Sequence, residues 1–409
     1  MRGQPAHRLT TAHLQAAYPF VSEGGFGGRG AYIGRDLFGG AFTYDAFELY
    51  QQGVITSPNM VVAGQLGRGK SALVKSFALR QMTFGRRIVV MDPKGEYGPL
   101  ARACGAETIR LSPGGTVRLN PLDKRIAETE QLRLLQAISA AALDRSLKPV
   151  ERTALERALS QASTTGEATI PQLVECLLNP TADAAAAVAA DPASLTEWGR
   201  EAAFELRRLV SGDLRGMFDD VTSASVDLDS PIVVLDLSAV YDSDALGILM
   251  TCAAAWLQGL LSRDNSRKTI FVVDEAWAIL CNLSIAKWLQ ASFKLSRARG
   301  LQNIAVMHRF SDLAATGGQG SQQERVARGL LSDTETKVVY AQPHGEIAAT
   351  RDLLGLTDTE AALLPQLERG IALWKVGERS FLVWHRLGRT ERELVDTDSR
   401  MAMASGIAP

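Results

Sequence analysis

The sequence predicts an α/β protein with a mostly parallel central sheet and an all-α segment inserted into it. Three observations predict this. Short apolar runs without polar alternation, such as Asn59–Gly64 and Arg87–Met91, read as strands buried on both faces. A helical stretch, Ser71–Thr83, lies between these two strands, and alternation of buried strand and helix is the pattern of a covered parallel sheet. From about Leu122 to Thr222 strand-like runs vanish and helical periodicity takes over.

The elements divide the chain in order. Residues 1–56 form a Gly-rich lead-in (Gly24, Gly25, Gly27, Gly28, Gly30) followed by edge strands over Ala31–Tyr50, with Ile33, Phe38, Phe42, Tyr44 and Phe47 as their apolar positions. Residues 57–124 are the first part of the sheet domain. Residues 125–227 are the all-α insertion, where Leu132, Leu135, Ile138 and Ala142 recur at helical spacing, as do Leu155, Ala158 and Leu159, then Leu173, Leu177 and Leu178. Pro149, Pro171, Pro180 and Pro192 punctuate these helices. Residues 228–400 resume the strand pattern with Ile232–Leu237, Thr269–Val273, Asn303–Met307 and Lys337–Tyr340, then a hairpin of Ile371–Val376 and Arg379–His385 around Gly377-Glu378. Residues 401–409 are a tail.

Composition excludes some function classes. The chain has 409 residues, 46% hydrophobic, so whole-chain disorder is excluded. Lys plus Arg number 44 against 45 Asp plus Glu, which argues against uniform coating of nucleic acid or an anionic membrane. The balance is uneven, however: Val61–Arg125 carries 12 basic against 4 acidic residues, and Cys281–Phe310 carries five basic residues and no acid. Within the latter, Lys287, Lys294 and Arg297 share one face of a helix and Ile285, Leu289 and Phe293 the other. The four cysteines (Cys104, Cys176, Cys252, Cys281) are far apart and lack metal-ligand spacing, so they read as free thiols of a reducing compartment. No run approaches the roughly 18 apolar residues of a membrane helix, and Met1–Phe20 has no apolar core of a signal peptide. The expected location is cytoplasmic, peripheral to the membrane through partners.

The chemistry is carried first by Gly64-Gln-Leu-Gly67-Arg68-Gly69-Lys70-Ser71, a Gly-x-x-x-x-Gly-Lys-Ser loop between a buried strand and a helix. Gly64, Gly67 and Gly69 let backbone N–H groups, including those of Arg68, Ser71 and Ala72, face phosphate oxygens. Lys70 is placed to reach the β and γ phosphates, and Ser71 offers a hydroxyl to Mg²⁺. The following helix adds the positive end of its dipole. The strand Thr269–Val273 then ends in Asp274-Glu275. In such a protein the first acid holds Mg²⁺ and the second activates the attacking water. A second acidic strand end, Asp92-Pro-Lys-Gly-Glu96-Tyr97, could bring Asp92 or Glu96 to the nucleotide or an adjoining subunit.

The order of motifs carries a resemblance. A phosphate loop is followed by Asp92-Pro-Lys-Gly-Glu-Tyr97, Leu119-Asn120-Pro121-Leu-Asp123, a helical insertion, and a strand ending Asp274-Glu275-Ala-Trp277. With Leu353-Leu-Gly-Leu-Thr-Asp-Thr-Glu360 and Leu367-Glu-Arg-Gly370, this resembles the motor domain of type IV secretion and conjugation ATPases of the TraC type, in the HerA–FtsK superfamily. The resemblance spans about residues 40–395. It implies a RecA-like P-loop NTPase fold, an all-α subdomain, hexameric rings, ATP and Mg²⁺ as ligands, and hydrolysis that drives substrate transfer or pilus assembly through an envelope channel. Lys70 and Ser71 match the family's Walker A pair, and Asp274 and Glu275 its Walker B pair. His308 stands where the family usually has a sensor Gln, which adds a group able to titrate near neutrality. Arg297 and Arg299 fall where the family has its arginine finger, Arg297 with the better spacing. The implied partners are copies of the chain itself and membrane subunits of a channel, with DNA optional. Only about 56 residues precede the first motor strand, so docking to the channel is expected to fall to a partner. The alternatives are a HerA- or coupling-protein-like DNA-translocating ATPase, and a nucleotide-binding scaffold without turnover.

Overall fold

The computed structural model describes residues 25–241, 267–280, 296–308 and 322–395, less positions 165, 213 and 228, together with scattered positions between 246 and 294. Most of the Gly-rich lead-in, the tail, Ile285 and Cys281 lie outside the described residues.

Among the described residues eleven strands form one sheet: β1 (Ala31–Asp36), β2 (Ala41–Tyr44), β3 (Met60–Ala63), β4 (Arg87–Asp92), β5 (Thr108–Arg110), β6 (Ile232–Asp236), β7 (Thr269–Val273), β8 (Leu301–Met307), β9 (Thr336–Val339), β10 (Ile371–Val376) and β11 (Arg379–His385). Their order across the sheet is β2-β1-β11-β10-β9-β3-β8-β7-β4-β6-β5. The seven strands from β9 to β5 are parallel, and β10, β11, β1 and β2 extend that sheet antiparallel. Strands β3, β4, β7 and β8 are buried at every position, as continuous apolar runs require.

The helices are α1 (Ala46–Gln51), α2 (Lys70–Met82), α3 (Gly98–Ala103), α4 (Glu128–Ala142), α5 (Pro149–Ser163), α6 (Ile170–Leu178), α7 (Ala182–Ala186), α8 (Pro192–Ser211), α9 (Trp277–Leu280), α10 (Gln322–Ser332), α11 (Ile347–Leu354), α12 (Asp358–Leu363) and α13 (Arg389–Val395). Residue parity along β3 sorts the two cores. Val61 and Ala63 join the face that also buries Leu135, Leu155, Leu173 and Leu206 of α4, α5, α6 and α8. Met60 and Val62 join the face that buries Phe47, Val74, Phe77 and Leu100 of α1, α2 and α3. Pro149, Pro171 and Pro192 sit in the first turns of α5, α6 and α8, where a missing N–H costs nothing.

One local reading changes. Ala46–Gln51 is helix, not strand, because Asp45 accepts hydrogen bonds from the N–H groups of Phe47 (2.9 Å) and Glu48 (3.1 Å) and caps α1. Asn120 and Asp123 of the Leu119–Asp123 motif make structural hydrogen bonds. Asn120 Nδ2 donates to Ala168 O (2.9 Å), and Asp123 accepts from Arg125 (2.7 Å) and from the Thr222 hydroxyl (2.7 Å). This segment ties the helical insertion to the sheet domain. Among the described residues, no helix is long and apolar enough to cross a membrane.

Candidate functional site

The C-terminal ends of β3, β8, β7 and β4 are neighbours, and each carries one predicted motif. Open parallel sheets bind ligands at this edge. A cavity of about 550 Å³ opens there, lined by Gly67, Gly69, Lys70, Ser71 and Ala72 of the loop and α2, by Lys94 and Glu96 after β4, and by His308 after β8. Arg369, Leu387, Arg392 and Val395 complete the wall from the C-terminal segment.

The loop geometry depends on its glycines. Gly64, Gly67 and Gly69 have φ of 148°, 73° and 110°. Gly69 caps α2 without offering a side-chain acceptor, so the first-turn N–H groups face the cavity. Arg68 shapes the loop from outside: its carbonyl accepts from Gly370 N (3.0 Å) and its guanidinium donates to Gln65 Oε1 (3.2 Å). Lys70 is 3% exposed, and its ammonium donates to the carbonyls of Gly64 (2.5 Å) and Gln65 (3.0 Å). Burial pulls its pKa down to about 8 against the pull of Asp274 and Glu275. A buried ammonium held only by neutral carbonyls is a site for an anion.

The acids lie behind this wall. Asp274 is 3% exposed, and its N–H donates to Met91 O (3.2 Å). Burial, then the neighbouring carboxylates Glu275, Asp92 and Glu96, push its pKa up to about 7. Lys94 opposes this rise from nearby without cancelling it. Among the described residues no group of three His, Cys, Asp or Glu side chains could hold a metal alone. Asp274 and the Ser71 hydroxyl are oxygen groups of the kind Mg²⁺ takes alongside phosphate oxygens.

Glu275 is 1% exposed and sits at φ 53°, a left-handed conformation rare for a residue with a side chain. Its N–H donates to Asp274 Oδ1 (3.0 Å), which holds the turn. Its Oε1 pairs with the Lys94 ammonium and lies 2.6 Å from His308 Nε2, and its Oε2 accepts from the Trp277 indole N–H. Burial alone would raise this carboxyl, but the hydrogen bonds from His308 and Lys94 outweigh it and bring the pKa to about 2.

The Asp92–Tyr97 turn divides its labour. Asp92 is fully buried and accepts from Tyr97 N (2.8 Å), so it shapes the turn. Glu96 lines the cavity and pairs with the enclosed Lys75 of α2 at 3.5 Å, while Lys75 also sits 5.1 Å from the centre of the Tyr97 ring. Lys94 was not singled out from the sequence, although it stands inside a motif that was. The contact of Trp277 with Glu275 has no sequence signal beyond adjacency. Arg297 and Arg299 are not brought to this cavity. Arg297 Nη1 donates to Thr56 O (3.4 Å) at the opposite end of β8, and Arg299 lies 3.6 Å from Glu130. Lys287, Lys294 and Arg297 are exposed while Leu289 and Phe293 are buried, so the two faces separate as their spacing predicts.

Comparison with known proteins follows the same geometry. Residues 55–249 match the family described as "Helicase HerA, central domain". The structure of VirB4 from Thermoanaerobacter pseudethanolicus is similar with a TM-score of 0.73 and 23% identity, over 90% of this chain and all (100%) of that one. The conjugative coupling protein TrwB is similar with a TM-score of 0.59 and 16% identity, over 95% of each chain. TrwB bound to a non-hydrolysable ATP analogue gives 0.58 and 17%, over 95% of this chain and 96% of that one. Curated protein sequences give no match. The chain has the RecA-like P-loop NTPase fold of VirB4 and TrwB, with residues 55–249 matching the HerA central domain itself.

Proposed function

We propose that this chain is the ATP-hydrolysing motor of a type IV secretion or conjugation apparatus, powering substrate transfer or pilus assembly. The observation that carries the reading is the convergence of Lys70, Asp274 and Glu275 at one sheet edge, in a fold that matches VirB4 over its whole length. TrwB has been seen with ADP and Mg²⁺ and with an ATP analogue, and the same ligands suit the anion and cation positions here.

In this reading the N–H groups of Gly67 to Ala72 bind the phosphates and Lys70 neutralises the β and γ oxygens. Ser71 and Asp274 would hold Mg²⁺, which would supply charge neutralisation for phosphoryl transfer. Glu275 orients the attacking water and takes its proton. Arg297 acts on the nucleotide of the next subunit in a homohexameric ring, and membrane subunits of a channel hold that ring at the envelope.

Glu275→Gln tests the chemistry. It should keep nucleotide binding and lower steady-state hydrolysis by roughly 10²–10⁴-fold. Unchanged turnover would overturn the general-base role. A second reading, a DNA-translocating ATPase, draws on the HerA helicase match and on TrwB. Tight, steeply salt-dependent DNA binding with stimulated hydrolysis would favour it.

A further inference from the structure

We propose that Lys94 is a positioning residue that changes partners, holding Glu275 until a nucleoside triphosphate binds and then moving to its γ-phosphate. The proposal rests on the nucleotide-site reading above.

Three donors occupy Glu275. The Lys94 ammonium and His308 Nε2 share Oε1, and the Trp277 indole takes Oε2. An ionised carboxylate only accepts, with about four lone-pair positions in all. Three are taken by protein groups, and the residue is 1% exposed. A carboxylate so filled has little capacity to orient a water or to receive its proton. Hydrolysis therefore requires that a donor leave.

Lys94 is the donor placed to do so. Its side chain is 25% exposed and lines the same cavity as Gly69, Lys70 and Ser71, whereas the Trp277 indole is not part of that wall. His308 also lines the cavity, its Nε2 3.2 Å from the Lys94 ammonium, but an imidazole turns on two torsions only, while Lys94 has a flexible four-carbon stem on a Pro-Lys-Gly turn. A ligand shifts such an equilibrium only by its differential interaction with the two states. A γ-phosphate offers Lys94 an anion of higher charge than a carboxylate, and a diphosphate places no phosphate at that position. Departure of Lys94 leaves Oε1 with His308 alone and opens a position for water. The device thus couples the activity of Glu275 to the presence of the phosphate that is to be cleaved.

The full chain labelled with 5-fluorotryptophan tests this without turnover, because Trp277 touches the carboxylate that is released. Its ¹⁹F resonance is assigned by Trp277→Phe. Addition of AMP-PNP with Mg²⁺ should shift the resonance, and ADP with Mg²⁺ should leave it as in the free protein. In Lys94→Met the two nucleotides should give the same Trp277 signal. The preference for AMP-PNP over ADP should fall about tenfold, the scale of one hydrogen bond to a charged group. Lys94→Arg should restore part of that preference. Equal Trp277 signals with both nucleotides bound to the unaltered chain would overturn the exchange, as would an unchanged preference in a folded Lys94→Met or Lys94→Gln. Binding of neither nucleotide to the unaltered chain would overturn the nucleotide-site reading itself and the exchange with it.

Discussion

Arg80 and Glu391 meet fork to fork, with guanidinium Nε and Nη2 each 2.6 Å from a different carboxylate oxygen. The same guanidinium donates to the carbonyls of Tyr32 (2.5 Å) and Arg386 (2.6 Å). One side chain of α2 thereby joins the helix after the phosphate loop to β1, to the exit of β11 and to α13. Both partners are about 15% exposed, so the pair is screened less than a surface bridge but more than a buried one.

Arg80→Ala should therefore cost roughly 1–3 kcal/mol, below the range for a fully buried pair. Arg80→Lys should recover little, because an ammonium cannot make the two-pronged contact. Glu391 is opposed by burial, but the Arg80 hydrogen bonds outweigh it and hold its pKa below the usual carboxylate range. Its stabilisation is present above that range and is lost as pH falls through the depressed folded value. Urea unfolding of both variants at neutral and acid pH measures each effect, and the cost of Arg80→Ala should shrink at acid pH.

A Cβ on Gly64 would lie 2.5 Å from Tyr340 Cβ and 3.1 Å from its Cα, at a φ that disfavours any side chain. Gly67 has the same sign of φ but open space around it. Gly64→Ala should thus cost roughly 1–3 kcal/mol and weaken nucleotide binding, while Gly67→Ala carries only the conformational cost of about 1 kcal/mol. Thermal unfolding and nucleotide titration of the pair separate steric from conformational causes. Equal losses would show that the contact with Tyr340 is relieved by movement of β9.

The strand-end motifs were legible because each combines an apolar run with a residue type that has few other uses there. Gly64–Ser71 and Asp274-Glu275 could be placed at one sheet edge from sequence for that reason. The hairpin of β10 and β11 was legible from its turn. What the sequence hid is side-chain reach. Nothing in Asp-Pro-Lys94-Gly distinguishes a lysine pointing at solvent from one paired with Glu275, 181 positions away. His308 was legible as a strand-end group at the sensor position, but its contact with Glu275 was not. The helix α1 was missed because a local cap at Asp45 overrode aromatic strand propensity.

Two site groups titrate near neutrality with opposite consequences. Lys70 is lowered to about 8, so above that pH it must take up a proton to meet a phosphate, and metal-free nucleotide affinity should fall. Asp274 is raised to about 7, so below that pH Mg²⁺ must displace a proton, and the Mg²⁺ contribution should grow as pH rises through about 7. For stability the sign is the reverse of an ordinary carboxylate. The folded state binds the extra proton, so stability associated with Asp274 is lost as pH rises from about 4 to about 7. Asp274→Asn should raise the melting temperature more at about pH 8 than at about pH 5, while removing Mg²⁺-dependent hydrolysis. Calorimetry in buffers of different ionisation enthalpy reads the proton transfers directly.

The role proposed for Arg297 is confined to a neighbour's nucleotide. This residue precedes β8, whose seven residues carry the chain roughly 20 Å from Arg297 to His308 in the cavity. Arg297→Ala should then leave nucleotide binding intact and abolish turnover in the assembled ring. Subunits of Arg297→Ala mixed with subunits of Glu275→Gln should regain activity, because an Arg297→Ala site beside a Glu275→Gln neighbour has both an intact base and an intact finger. In a randomly mixed ring with head-to-tail interfaces, roughly a quarter of the sites meet that condition. Turnover near that fraction of the unaltered ring, absent from either variant alone, is the expected result. No recovery in a ring shown by fluorescence to contain both variants would remove Arg297 from the site. The same mixing with Arg299→Ala would then decide whether Arg299, now beside Glu130, supplies the guanidinium instead.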